Sequence, residues 1–94
     1  MIEQYAHGEP SAAPRLLIAH GLFGSARNWS VIAKRLSASR QVITVDMRNH
    51  GRSFWDPMHD YGALGRDLAE VIEAQGEAMD VLGHSMGGKA AMAL

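Results

Sequence analysis

Short apolar runs alternate with helical stripes along this chain of 94 residues. The largely apolar stretches at 16–19, 42–45 and 79–82 have the length and composition of buried strands. Between them, apolar residues recur every three or four positions, which predicts two amphipathic helices, one with Asn28 as its N-cap and one that ends at Gly76. This alternation predicts an α/β fold, in which a parallel sheet carries helices on both faces.

The spacing of apolar residues also predicts which face of each helix is buried. The first helix should pack through Trp29, Ile32, Ala33 and Leu36. The second should pack through Leu64, Leu68, Val71 and Ile72. Its charged residues are expected to face water, namely Arg66, Asp67, Glu70 and Glu73. Residues 2–7 are predicted to form a short edge strand before the first buried one.

The last predicted strand leads into the turn Gly83-His84-Ser85-Met86-Gly87, which follows the pattern G-x-S-x-G. Glycines on both sides of a serine let the backbone bend sharply from a strand into a helix without a Cβ clash. Such a nucleophile elbow exposes the serine hydroxyl and directs the next N–H, that of Met86, toward a developing oxyanion. Ser85 is therefore the predicted nucleophile, and His84 is expected to form the outer wall of the elbow.

Two other interpretations of this turn compete with the elbow. Residues 83–89 also spell G-x-x-x-x-G-K, the pattern of a phosphate-binding loop, but Ala90 stands where the magnesium-binding Ser or Thr belongs. A plain turn of small residues would carry no chemistry. The elbow is favoured, because a phosphate-binding loop leaves the motifs after the first two buried strands without a role.

The motif His20-Gly21-Leu22-Phe23-Gly24-Ser25 begins where the first buried strand ends. In a parallel sheet the carboxyl ends of the strands share one edge, so this loop should lie beside Ser85. Its backbone N–H groups can point at the atom that Ser85 attacks, and the amide of Leu22 is the predicted second oxyanion donor. His20 is interpreted as a residue that holds the loop by hydrogen bonds rather than as a catalytic group.

The motif Asp46-Met47-Arg48-Asn49-His50-Gly51-Arg52-Ser53 follows the second buried strand and is interpreted as a structural loop. We expect Asp46 and Arg48 to pair and brace this loop. Gly51 is expected to adopt a backbone conformation that other residues avoid. A catalytic pair of Asp46 with His50 is disfavoured, because no spacing rule brings His50 to the nucleophile.

These motifs, H-G-L-F-G-S with a following N-W, V-D-x-R-N-H-G-x-S and G-H-S-M-G-G-K, together resemble the N-terminal part of the α/β-hydrolases. The sequence is similar to bacterial YbfF-type acyl esterases, from about Leu16 to Leu94. The resemblance implies a serine hydrolase that acts on short-chain acyl esters or acyl-CoA thioesters. It assigns the nucleophile to Ser85 and the oxyanion hole to the amides of Met86 and Leu22, with water releasing the acyl group.

In this family the triad acid and histidine follow the nucleophile in the chain. We therefore expect residues 1–94 to be the incomplete N-terminal part of a single α/β-hydrolase domain, truncated after the elbow and inactive alone. Other function classes stay open. The chain could belong to a non-catalytic binding module, or to a cofactor-free perhydrolase or C–C bond hydrolase on the same fold.

Composition narrows the range of partners. With 20% charged residues and a formal net charge of -1, neither nucleic acid nor an anionic membrane is an expected partner, and a small-molecule ester or thioester is. The absence of cysteine excludes a disulfide framework and a thiol nucleophile within the sequence. No pair of histidines has the spacing of a zinc site, so no metal or cofactor is expected.

The first apolar run is too short for a signal or membrane-spanning segment, which favours a cytoplasmic location. The acyl pocket is predicted to be lined by Phe23 and Trp55, with Phe54 and Trp29 as further candidates, although burial on the helix face is the favoured role of Trp29.

Overall fold

The computed structural model describes residues 2–21 and 24–94, which contain a four-stranded sheet and helices on both of its faces. The strands are β1 (Glu3–His7), β2 (Leu16–Ala19), β3 (Val42–Asp46) and β4 (Asp80–Gly83). A 3₁₀ helix (Ala26–Trp29) leads into α1 (Ser30–Leu36), α2 (Tyr61–Gln75) joins β3 to β4, and α3 (Met86–Met92) follows β4. The bounds of β2 and the helical cap at Gly76 agree with the sequence prediction.

The strand order is β1-β3-β2-β4, so the first parallel strand, β2, lies between the two later ones. The connection from β2 to β3 moves one way along the sheet, and the connection from β3 to β4 returns past β2. Since such crossovers are right-handed, their helices lie on opposite faces. The carboxyl ends of β2, β3 and β4 consequently meet at one edge, where the three motifs begin. The outer strand β1 runs antiparallel to β3, which makes the sheet mixed rather than wholly parallel.

Each face of the sheet has its own apolar cluster. The α1 side contains Ile18, Ala33 and Val42, with Leu16, Trp29, Leu36 and Leu82 packed against them. The opposite side, under α2 and α3, includes Leu17, Ala19, Ile43, Val45, Leu64, Leu68, Val71, Met86 and Ala90. Alternate residues of β2 and β3 enter opposite clusters, as a strand buried on both faces requires. The predicted fold class is confirmed.

Three predictions about the helices are wrong in detail. The N-cap of the first helical segment is Ser25 rather than Asn28, whose side chain instead accepts a hydrogen bond of 2.8 Å from the Ser25 N–H. The 3₁₀ turn shifts the helical phase, so Ile32 lies at the flank of α1 and is 45% exposed. Asp67 is only 4% exposed, although it was expected to face water.

Candidate active site

Ser85 stands between β4 and α3 in a backbone conformation that few residues adopt, with φ 55° and ψ -112°. A serine in such a sparsely populated region costs about 1–3 kcal/mol, which the surrounding structure must offset. The turn is closed by a hydrogen bond of 3.0 Å from the N–H of Gly87 to the carbonyl of His84. The segment therefore has the sharp strand–turn–helix geometry that the sequence predicts for a nucleophile elbow.

The glycines of this turn are required by close backbone contacts. A Cβ atom on Gly83 would lie 2.5 Å from the Cα atom of Gly88, and one on Gly87 would overlap the carbonyl oxygen of Ala19. These contacts let α3 begin directly against the end of β2. Met86 is the first residue of α3, and the first N–H groups of a helix have no intrahelical acceptor. Its N–H is thus suited to donate to an anion.

The loop of residues 21–25, called the glycine loop below, begins beside the elbow. A Cβ atom on Gly21 would lie 3.4 Å from the Cβ atom of Ser85, so no side chain separates the two segments. The N–H of Gly24 donates to the carbonyl of Gly21 at 2.9 Å. Leu22 and Phe23 lie outside the described residues, and their roles as oxyanion donor and pocket wall stay predictions.

His20 is 1% exposed and uses both of its ring nitrogens. Its Nδ1–H donates to the carbonyl of Gly21 at 2.7 Å, and its Nε2 accepts from the backbone N–H of Met47 at 2.9 Å. Burial lowers the pKa of His20, although the hydrogen bond to Gly21 opposes this effect. The neutral ring joins the end of β2 to the end of β3, in keeping with its interpretation as a residue that holds the loop.

The carboxylate of Asp46 does not pair with Arg48, which corrects the predicted brace. It accepts hydrogen bonds from the Tyr5 hydroxyl at 2.9 Å and from the backbone N–H groups of Ala26 at 2.8 Å and Arg52 at 3.0 Å. Burial would raise the pKa of Asp46, but these donors outweigh burial and lower it. A Cβ atom on Gly51, whose φ is 52°, would overlap this carboxylate, as the expected special role of that glycine requires.

The buried partner of Arg48 is Asp67 on α2. The two side chains form a bidentate pair, with distances of 2.6 Å from Nε to Oδ2 and 2.9 Å from Nη2 to Oδ1. The guanidinium also donates to the carbonyl of Met58 and lies 5.0 Å above the ring of Phe54. The hydrogen bonds to Asp67 raise the pKa of Arg48. This pair therefore ties the loop after β3 to α2.

The variant Asp67→Asn should lower the free energy of unfolding by about 3 kcal/mol, because it removes the buried counter-charge of Arg48 and leaves the more exposed Asp56, at 3.9 Å, as a weaker partner. Urea unfolding followed by circular dichroism measures this loss. The control is Asp80→Asn, which removes an exposed pair with Arg40 and should cost less than about 1 kcal/mol. Equal losses in the two variants would contradict the structural importance of the buried pair.

A cleft of about 430 Å³ opens next to Ser85. It is lined by His20, Gly21, Gly24, Asn28, Trp29, Ile32, His84 and Ser85. The rings of Trp29 and His84 lie 5.7 Å apart, so His84 forms part of the wall as the sequence suggests. Trp55 is 77% exposed and does not line this cleft, because the loop after β3 turns it outward. Trp29 and Ile32 supply the apolar wall instead.

Within residues 2–21 and 24–94, no helix has both the length and the apolar character needed to cross a bilayer. Across the same ranges, no three side chains of the metal-binding types lie close enough together to hold an ion.

A mixed sheet with helices on both faces, a strained serine in a glycine-flanked elbow and a neighbouring glycine loop define the α/β-hydrolase class of protein. The sequence profile of the alpha/beta hydrolase family matches residues 16–94. The chain belongs to this family.

The chain is similar to named esterases and lipases of the family. It is 46% identical over 92 residues to Esterase YbfF of Escherichia coli (strain K12), covering 97% of this chain and 36% of that protein. It is 45% identical to the sn-1-specific diacylglycerol lipase ABHD11 of Mus musculus, covering 86% of this chain and 27% of that protein. The solved structure of a marine microorganism esterase superposes with a TM-score of 0.91 at 42% identity, covering 97% of this chain and 34% of that one. The chain thus spans between about a quarter and about a third of the length of these relatives.

Proposed function

We propose that the protein is a serine hydrolase that cleaves small-molecule carboxylic esters through an acyl-enzyme on Ser85. The observation that carries this proposal is the backbone of Ser85, with φ 55° and ψ -112° at the start of α3 and with Gly21 beside it. Strained residues of this kind cluster at active sites, where the surrounding structure holds them in place. The names of the relatives, esterase and lipase, support the same reaction class.

In the proposed reaction, the Ser85 Oγ attacks the acyl carbon while a histidine takes its proton. The carbonyl oxygen becomes an oxyanion that accepts hydrogen bonds from the N–H groups of Met86 and Leu22. Collapse of this intermediate breaks the ester C–O bond, and the alcohol leaves with the proton held by the histidine. Water, deprotonated by the same histidine, then attacks the acyl carbon. The bond to Ser85 Oγ breaks, the acyl group leaves as a carboxylic acid, and the histidine returns the proton to Ser85.

The histidine of this reaction is proposed to come from outside the present sequence. Both ring nitrogens of His20 are engaged by backbone groups, so His20 has no nitrogen free to accept the Ser85 proton. The coverage of about a third of the relatives supports the same view. We propose that residues 1–94 are the N-terminal part of one hydrolase domain, whose triad acid and histidine follow the nucleophile.

The proposed substrates are short-chain acyl esters and acyl-CoA thioesters, held against the apolar wall formed by Trp29 and Ile32. The test uses the full-length protein with p-nitrophenyl esters of increasing acyl length, with acyl-CoA thioesters and with a fluorophosphonate probe. Ester turnover together with probe labelling at Ser85, located by peptide mass spectrometry, is expected. Labelling at another residue, or no turnover of any ester or thioester, would overturn the proposal.

The contribution of Leu22 should depend on its backbone N–H and hardly on its side chain. Leu22→Ala should therefore keep most of kcat, whereas Leu22→Pro should lower kcat by about 10²–10³-fold, because proline has no N–H. Both variants are assayed with p-nitrophenyl butyrate after circular dichroism has shown that they are folded. Equal losses would mean that another residue supplies the second oxyanion donor.

A further inference from the structure

The two described ends of the glycine loop are fixed by neighbouring residues at the end of β3. At the first end, the ring of His20 donates to the carbonyl of Gly21 and accepts from the N–H of Met47, at 2.7 and 2.9 Å. At the second end, the carboxylate of Asp46 accepts from the N–H of Ala26 at 2.8 Å. Ala26 begins the 3₁₀ helix directly after the loop. The bonds His20–Met47 and Asp46–Ala26 are called the anchor bonds below.

The anchor bonds cross between different parts of the chain. His20 and Met47 are 27 residues apart, and Asp46 and Ala26 are 20 residues apart. All four residues are buried, so water does not compete for these hydrogen bonds. Because β2 and β3 pair directly, the end of β3 is a rigid reference for the position of the loop.

We propose that His20 and Asp46 are positioning residues for the hydrolytic reaction, which hold the glycine loop at both ends so that its backbone donors meet the oxyanion on Ser85. This inference rests on the proposed function. Neither side chain is assigned a contact with the substrate. Donors in an oxyanion hole act through their fixed placement, and a displacement of about 1 Å can cost about 10²-fold in rate.

The electrostatic surroundings of His20 fit this role. Asp46 and His50 face the ring from the end of β3 and the loop after it, and His84 lies across the cleft after β4. Burial and the nearby His50 lower the pKa of His20, while the Gly21 carbonyl and Asp46 oppose them. Only the neutral ring, protonated at Nδ1, can accept the Met47 N–H at Nε2. Protonation of Nε2 would break this anchor bond.

The first test separates the two bonds of His20 with amides that mimic one ring nitrogen each. Gln can place an acceptor oxygen near the Nε2 position and retain the Met47 bond, whereas Asn reaches only the Nδ1 position. In the full-length protein, His20→Asn should lower kcat by about 10- to 100-fold with KM changed less than about threefold. His20→Gln should restore most of that loss. Equal kcat values for the two variants would overturn the role of the Met47 anchor bond.

The second test compares two variants around the Asp46 carboxylate. Asp46→Ala removes the acceptor of the Ala26 anchor bond, and should lower kcat by about 10- to 100-fold. The control Tyr5→Phe removes a hydrogen bond from β1 to the same carboxylate and leaves the acceptor of the Ala26 anchor bond in place. It should lower the melting temperature but leave kcat within about twofold. An unchanged kcat in Asp46→Ala would overturn the role of Asp46.

Rates in both tests are expressed per active site titrated to completion with a fluorophosphonate, so that loss of folded protein does not appear as loss of kcat.

The pH profile adds a readout that stability alone does not change. Below pH 6.5, kcat of the wild type should fall with two protonations, one on the catalytic histidine and one on His20. In His20→Gln it should fall with one, and an unchanged steepness would contradict the proposal. A wild type that is neither labelled nor active refutes the proposed function itself, whereas an active wild type with unaffected variants refutes only the positioning role.

Discussion

Replacing Ser85 with alanine is expected to lower kcat for ester hydrolysis by about 10⁶-fold in the full-length protein, because the atom that forms the acyl-enzyme is lost. The fold should survive, since the Ser85 side chain is exposed and contributes no hydrogen bond to the turn among the described contacts. The measurement is turnover of p-nitrophenyl butyrate by purified protein, accompanied by thermal unfolding.

The control for this variant is Ser39→Ala, an exposed serine after α1 whose hydroxyl donates to the nearby carbonyl of Leu36 at 3.3 Å. It should keep wild-type kcat and confirm that the loss is specific to the elbow. Turnover by Ser85→Ala above about a hundredth of the wild-type value would refute the assignment of the nucleophile. In that event the strain at Ser85 would need another explanation.

The elbow could be predicted from the sequence because its requirements are local. Five consecutive residues, Gly83 to Gly87, are enough to predict the turn, because they place a glycine on each side of a serine between a strand and a helix. The common edge of the three motifs was likewise predictable, since the carboxyl ends of parallel strands must meet. Because β2 lies between β3 and β4, the connections that start from the ends of β2 and β3 at this edge run to opposite faces of the sheet.

The partners of the charged residues could not be read from local sequence. Asp46 is the last residue of β3 and Arg48 lies in the turn that follows, and their side chains bind groups that are distant in the chain. Asp67 did carry a signal. It lies three residues after Leu64 and four before Val71, so it occupies the apolar stripe of α2, and a carboxylate there requires a buried cation. Asp67 was assigned to the exposed face because it is charged, although its position in the helix placed it among the apolar residues.

Changing Gly87 to alanine should destabilise the protein more than Asp67→Asn does, lowering the free energy of unfolding by at least about 4 kcal/mol. The added Cβ would overlap the carbonyl oxygen of Ala19 and lie 2.6 Å from that of His20. Neither oxygen can move freely, because the Ala19 carbonyl accepts the N–H of His84 at 3.0 Å and β2 is paired on both sides. Either α3 must move away from the sheet or the end of β2 must distort.

The matched control is Gly62→Ala in the first turn of α2, where a Cβ atom would meet only side-chain atoms of Asp60 and Arg66 at 3.4 and 3.5 Å. The same substitution there should stabilise the protein by about 0.5–1 kcal/mol, because alanine loses less backbone entropy in a helix. Urea unfolding of both variants gives the two signs directly. A Gly87→Ala protein as stable as the wild type would mean that α3 does not rest on the end of β2. The position of Met86, and with it the N–H proposed to meet the oxyanion, would then lack the support that the elbow requires.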